Sequence, residues 1–222
     1  MNIDDIWSEI KNDKTKIYGN QTVFDVFLST TDDLKPEHFL ELSPSDVNKL
    51  SGGAVADVLA RSKDKTKVAE ILGKENINKL SDNDISDIMW RVSPLSGEFS
   101  PPSDELAKII IQNKREITSN NIIALMSYCS DKYEIAKMII NYKKELSDSD
   151  IRHLMIFKDK REELIALVAK NKIKLDSDGV WLLLAMSGDK KEIAKILGKE
   201  NIDKLSDRDL ARFELKDHYG QS

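Results

Sequence analysis

The chain has 222 residues, of which 33% are charged and 40% hydrophobic, and its formal net charge is −5. Its single cysteine, Cys129, excludes an internal disulfide framework and any multi-cysteine zinc site. No apolar run approaches the roughly 20 residues of a membrane-spanning helix, and the length suits one large domain or two small ones with a real core.

The first residues, MNIDDIWSEI, are acidic and lack a basic n-region and an apolar h-region, so no signal peptide is expected. The expectation is a protein of a reducing compartment, cytoplasmic. Lysine outnumbers arginine 27 to 7, with 24 Ile and 13 Asn, a bias that AT-rich codons favour. Arginine is the residue for bidentate readout of bases and phosphates, and it is scarce. Residues 1–100 hold 12 basic and 18 acidic residues; residues 101–222 hold 22 and 21. Neither half is the basic surface of a nucleic-acid binder.

Residues 1–49 are irregular. Ile3, Ile6, Trp7 and Ile10 form one amphipathic stripe, which predicts a short helix, and Val23, Phe24, Phe27 and Leu28 predict a second. In the stretch that follows, Leu34/Phe39, Leu42/Val47 and Leu50/Val55 repeat a five-residue spacing every eight residues. Pro36 and Pro44 stand near first-turn positions, where proline is tolerated. Together they predict short helices that cap the open end of what comes next.

From residue 50 the chain repeats itself. ILGKENINKLSD (71–82) and ILGKENIDKLSD (196–207) differ at one of twelve positions. Weaker copies lie at 110–122, 138–151 and 167–180. The copies align on two apolar positions five apart: Leu50/Val55, Leu80/Ile85, Ile117/Ile122, Leu146/Ile151, Leu175/Val180 and Leu205/Leu210. The steps between them are 30, 37, 29, 29 and 30 residues. The long step contains SPLSGEFSPPSD (93–104), with three of the five prolines, and reads as a loop inserted into a regular array.

Each unit predicts two helices. The first follows the L-S-D-x-D-I element. Ser81, Ser147 and Ser206 stand where an N-cap belongs, with Asp84, Asp150 and Asp209 three residues later, as in a capping box with Asp for Glu. Buried-face spacing follows: Ile85, Ile88, Met89; Ile122, Leu125, Met126; Ile151, Leu154, Met155; Val180, Leu183, Leu184. The second helix starts after Asp64, Asp131, Asp159 or Asp189, each followed by lysine. Its apolar face holds Val68/Ile71/Leu72, Leu106/Ile109/Ile110, Ile135/Ile139 and Ile193/Ile196/Leu197. Ala69, Ala107, Ala136 and Ala194 allow close approach, and Gly73 and Gly198 are expected to end or loosen their helices. The chain after Phe213 is charged and polar, a terminal cap or a frayed end.

One such hairpin cannot bury its own apolar faces, but stacked neighbours share a core. The expected fold is therefore all-α: an α-solenoid of 29–30-residue helical hairpins over 50–222, with an irregular helical cap over 1–49 and no sheet. On these residues, over about 42–214, the architecture resembles the HEAT-like α-solenoids. The unit is shorter than theirs and lacks their signatures. LSDNDISDIM (80–89) and LSDSDIRHLM (146–155) also resemble helical-repeat arrays of bacteriophage-encoded proteins, a likeness that implies no activity.

Chemistry is sparse. His38, His153 and His218 form neither H-x-x-x-H nor H-E-x-x-H, and a surface or rim position explains each. Cys129 follows Tyr128 at the end of a repeat helix and reads as a small, partly buried residue. No dinucleotide fingerprint, phosphate loop or nucleophile elbow is present. The pairs Asp82/Asp84, Asp148/Asp150, Asp176/Asp178 and Asp207/Asp209 recur once per unit at a helix start, which favours capping over catalysis, and they lack the glycine and distal Glu of a calcium loop. Gly52-Gly53 sits at a cap position, where conformational freedom explains it. No enzyme activity, cofactor or metal is expected.

What varies between units is the flank of the first helix: Trp90 and Arg91, then Ser127 and Tyr128, then Arg152, His153 and Phe157, then Trp181, Leu182 and Met186. Aromatic, Met and Arg residues are what a protein-binding face uses. Trp90, Arg91, Tyr128, Arg152, His153 and Trp181 form the candidate partner-binding ridge, with Phe99 of the inserted loop beside it. The competing reading packs Trp90, Phe157 and Trp181 between units. The expected function is a non-catalytic scaffold that binds another protein along one face. The alternatives are a phage-encoded virion component or inhibitor of a host protein, acting in the host cytoplasm or virion, and a HEAT-like nucleic-acid-binding protein.

Overall fold

The computed structural model describes residues 17–18, 21–22, 47–48, 50–62, 64–91 and 103–219. The expected cap over 1–49 and most of the loop with Phe99 lie outside these residues, as do His38 and the side chain of His218. Inside the cap region the all-helical expectation is corrected at one place. Strand β1 (Ile17–Tyr18) pairs antiparallel with β2 (Gln21–Thr22), Ile17 opposite Thr22 and Tyr18 opposite Gln21. The two residues between them read Gly-Asn, a dipeptide that favours a two-residue hairpin connection.

The rest of the described chain is helical and divides into two units, residues 1–115 and 116–222. In the first, α1 (Gly52–Arg61) packs on α2 (Lys65–Ile77) and on α3 (Asp82–Arg91), while α4 (Ser103–Asn113) packs on α2 and α3. In the second, α5 (Ser119–Tyr128), α7 (Asp148–Leu154) and α9 (Ser177–Met186) pack side by side as one layer. Helices α6 (Lys132–Tyr142), α8 (Arg161–Lys170) and α10 (Lys190–Leu197) form the other. Three short helices follow: α11 (Lys199–Ile202), α12 (Asp207–Arg212) and α13 (Lys216–Tyr219). Within each unit, then, the helices are stacked hairpins in which each helix meets the one two along.

The cause lies in the apolar framework. All six pairs five residues apart are buried, and Val55, Ile85, Ile122, Ile151 and Val180 are fully so. In each pair the first residue precedes the N-cap and the second lies one turn inside the helix, so both point inward. The alanines of the second helices, Ala69, Ala107, Ala136 and Ala194, are buried too, while Ile71 and Ile196 stay half-exposed at the edge of their faces.

Capping follows the sequence pattern. The Ser81, Ser147 and Ser206 hydroxyls accept the N–H of Asp84, Asp150 and Asp209 at 3.1–3.2 Å. Asp64, Asp131 and Asp189 cap their helices in the same way. Asp159 does not, which corrects the expected start of α8. A 3₁₀ turn covers Lys158–Lys160 and α8 begins only at Arg161. Arg161 donates to the carbonyls of Met155 and Met186, closing the C-terminal ends of α7 and α9. This side-chain bridge takes over the junction where the aspartate was expected to cap.

Polar clips join neighbouring hairpins. Lys79 donates to the Leu50 carbonyl at 2.9 Å, Lys114 to Leu80 at 2.8 Å, Lys143 to Ile117 at 2.9 Å and Lys204 to Leu175 at 2.9 Å. Each acceptor is the framework residue before the preceding hairpin's N-cap, a carbonyl that the helix itself does not use. Asparagines add a second clip. Asn76 donates to Asn48 Oδ1 at 3.0 Å and Asn171 to Asn141 Oδ1 at 2.9 Å. The two near-identical twelve-residue segments build the same set: Asn76 and Asn201 donate to the carbonyl four residues back, and Lys79 and Lys204 donate to those asparagines.

In both copies the glycine breaks the helix, with φ of +71° at Gly73 and +78° at Gly198. Neither would bring a Cβ within 4 Å of a neighbour. With ψ of 160° Gly198 stands in a region that is essentially glycine-only, so Gly198→Ala should strain the backbone and cost about 1–3 kcal/mol, read from denaturant melts; no loss would show that the bend is dispensable. Gly52 is different from its expected reading. A Cβ there would stand 2.4 Å from the Lys79 carbonyl oxygen, so close backbone approach, rather than conformational freedom, explains the glycine.

Candidate functional site

The variable flank of the first helices is built differently at each position. On α3, Trp90 is 51% exposed. Arg91 beside it is tied across the hairpins, its guanidinium 2.7 Å from Asp57 of α1. In the second unit Tyr128 ends α5 half-buried, followed by the buried Cys129 at the C-cap. Arg152 on α7 is exposed and lies 3.9 Å from Asp148 one turn earlier, a weak surface pair. His153 is half-buried, and its Nδ1 donates to the Ser149 carbonyl at 2.7 Å, which suits the rim position expected of it.

Trp181 on α9 is half-buried. Its ring centroid lies 5.8 Å from that of Phe213 and the Arg212 guanidinium lies 5.2 Å above it. Phe213 is itself buried, so Trp181 packs α9 against the end of α12. Phe157 likewise makes an edge-on contact with Tyr133, with centroids 5.9 Å apart. The two tryptophans thus stand apart in kind, one exposed and one bridging hairpins. Phe99 lies outside the described residues.

Two exposed apolar residues were not among those expected: Ile123, 38% exposed, and Ile156, 49% exposed. The signal for Ile123 was present in its register. It follows the framework residue Ile122 as Arg152 follows Ile151 and Trp181 follows Val180. Because α5, α7 and α9 lie side by side, Ile123, Arg152 and Trp181 occupy matching positions on one layer. Ile156 stands just past the end of α7. The second unit therefore presents a stripe of apolar side chains with one arginine.

A groove of about 510 Å³ runs along the starts of α5, α7 and α9, lined by their N-caps Thr118, Ser147 and Asp176. Those caps are occupied by their own helices, accepting from Asn121, Asp150 and Gly179 N–H groups. At its centre Asp150 is only 2% exposed and its Oδ2 lies 3.0 Å from Lys143 Nζ, itself 15% exposed. Burial alone would raise the Asp150 carboxyl. Hydrogen bonds from Ser119, the Ser147 backbone and Lys143, with the charge of Lys143, outweigh it and hold the group below its ordinary value. The pair locks α6 to α7 through Asp150 Oδ2, while Asp150 Oδ1 is buried without a hydrogen-bond partner.

Among the described residues no group of three or more His, Cys, Asp or Glu is placed to hold a metal ion, and no helix is long and apolar enough to cross a membrane. No family model matches the chain, and no curated protein or solved structure matches it.

Proposed function

We propose that each unit is a run of α-solenoid repeats of 29–30 residues and that the chain is a non-catalytic scaffold binding another protein through the first-helix face. The observation that carries the reading is the exposure of Ile123 and Ile156 in the second unit and, separately, of Trp90 in the first, large apolar side chains outside the core of the described residues. A few such side chains supply most of the energy of a protein interface, at about 2 kcal/mol or more each. Stacked hairpins hold them without ordering cost on binding. Arg152 and His153 supply polar contacts at the rim of the same stripe.

The test is affinity capture from the native cell with the wild type and with Trp90→Ala and Ile156→Ser variants, read by quantitative mass spectrometry. The reading expects one protein retained by the wild type and depleted at least tenfold in a variant whose melting temperature is within a few degrees of wild type. Trp181→Ala should instead lower the stability by about 3 kcal/mol or more, as loss of a packed aromatic does. Identical captured sets for all forms would reject the face.

A further inference from the structure

We infer that the second unit holds a binding cleft for a small polyanion of the phosphate class, between the end of α8 and the Gly198 bend. The cleft encloses about 480 Å³. Its floor is apolar, made by Val168, Ile173, Leu175 and Leu197, all buried. Its rim holds four lysines, Lys172, Lys174, Lys199 and Lys204, against one carboxylate, Glu200. The groove over the starts of α5, α7 and α9 has the opposite balance, two lysines against Glu116, Glu145, Asp150 and Asp176. On a chain with net charge −5, an excess of three positive charges around one cleft is local and specific.

Two of the lysines have structural work. Lys204 donates to the Leu175 carbonyl and to Asn201 Oδ1, each at 2.9 Å, and Lys174 lies 3.6 Å from Glu145. Lys172 and Lys199 make no ion pair among the described residues. Lys172 has φ of +51° at the end of α8, where its N–H reaches the Ala169 carbonyl and the next N–H reaches Val168. That Schellman ending favours glycine. The C-terminal dipole of α8 accounts for one cation there. Lys199 stands on the rim at the start of the four-residue α11. The mutual repulsion of the four ammonium groups is relieved when a dianion or higher polyanion occupies the cleft. Ammonium groups act as point charges, which suits phosphate oxygens without demanding arginine's fork.

The experiment is isothermal titration of the full chain with inorganic pyrophosphate at fixed ionic strength. Saturable one-site binding is expected, at least tenfold weaker in Lys172→Gln/Lys199→Gln and within twofold of wild type in Lys158→Gln/Lys195→Gln, which changes two lysines that do not line the cleft. Lys199→Gln alone, at an exposed position, should weaken binding several-fold with an unchanged far-ultraviolet circular dichroism spectrum. Absence of saturable binding, or equal loss from both double variants, would overturn the assignment. Binding of a single-stranded oligonucleotide with none of pyrophosphate would overturn it as well, in favour of a nucleic-acid surface. No outcome depends on the protein partner proposed above.

Discussion

Ile151→Ala should destabilise the protein by about 2–5 kcal/mol, and Leu183→Ala by a similar amount, as large-to-small changes in a packed interior do. Both side chains have no exposed surface. Ile151 sits between α5 and α9 in the first-helix layer, and its Cδ1 would lie 3.0 Å from a Cβ at Gly179, so no slack exists to refill the space. Ser147→Ala, one turn earlier, removes a hydrogen bond at a helix end and should cost only about 1 kcal/mol. Urea melts of the three variants decide the order. A larger loss at Ser147 than at Ile151 would mean that polar caps, rather than the apolar framework, hold the hairpins together.

Asp150→Ala should cost about 3 kcal/mol, the low end for a broken buried ion pair because Lys143 retains some exposure. Three things are lost together: the reciprocal bond to the Ser147 N–H at 3.0 Å, the charge partner of Lys143, and its hold on an amine that also clips Ile117. Asp84→Ala makes the same change at the start of α3, where among the described residues no lysine pairs with the acid, and should cost about 1 kcal/mol. The pair also sets a pH dependence. A carboxyl held below its ordinary value of 3.8 in the fold binds its proton more readily when unfolded. Its stabilisation is therefore present above that ordinary value and drains away as pH falls through it. Asp150→Asn should flatten the acid limb of the stability curve below about pH 5. An unchanged acid limb would show that the pair does not contribute.

The framework was legible because apolar spacing is a direct consequence of helix geometry, and the two positions five apart report the same inward direction on either side of a cap. Capping was legible for the same local reason, since Ser and Asp three residues apart serve one helix end. Asp159 shows the limit: its Asp-Lys pair matches the others, yet Lys158–Lys160 form a 3₁₀ turn and Lys160 stands at the N-cap of α8 without a side-chain bond. The polar clips were also written in the chain. Asparagine stands at 48, 76, 113, 141, 171 and 201, once per unit, and the clip lysines 79, 114, 143 and 204 follow one to three residues after four of them. In a chain with 27 Lys and 13 Asn that recurrence looks like background composition, and only the carbonyl acceptors in the neighbouring hairpin give it a meaning.

The proposed binding face was half legible. Trp90 and Trp181 carry the same residue type at the flank of a first helix, and nothing local separates them. What separates them is Phe213, more than thirty residues beyond Trp181, which packs against that ring and leaves it half-buried, while Trp90 is 51% exposed. Ile123 was hidden by its neighbour Ile122, since an Ile-Ile pair reads as core until the helix is placed and only the first of them turns inward.

The most direct measurement of the account is the stability of the double variant Ile123→Ser/Ile156→Ser of the second unit set beside its affinity for the captured partner. If these side chains are a binding face, the melting temperature stays within a few degrees of wild type while the partner's dissociation constant rises at least a hundredfold. A collapse of the melting temperature, or full stability with unchanged affinity, would contradict it.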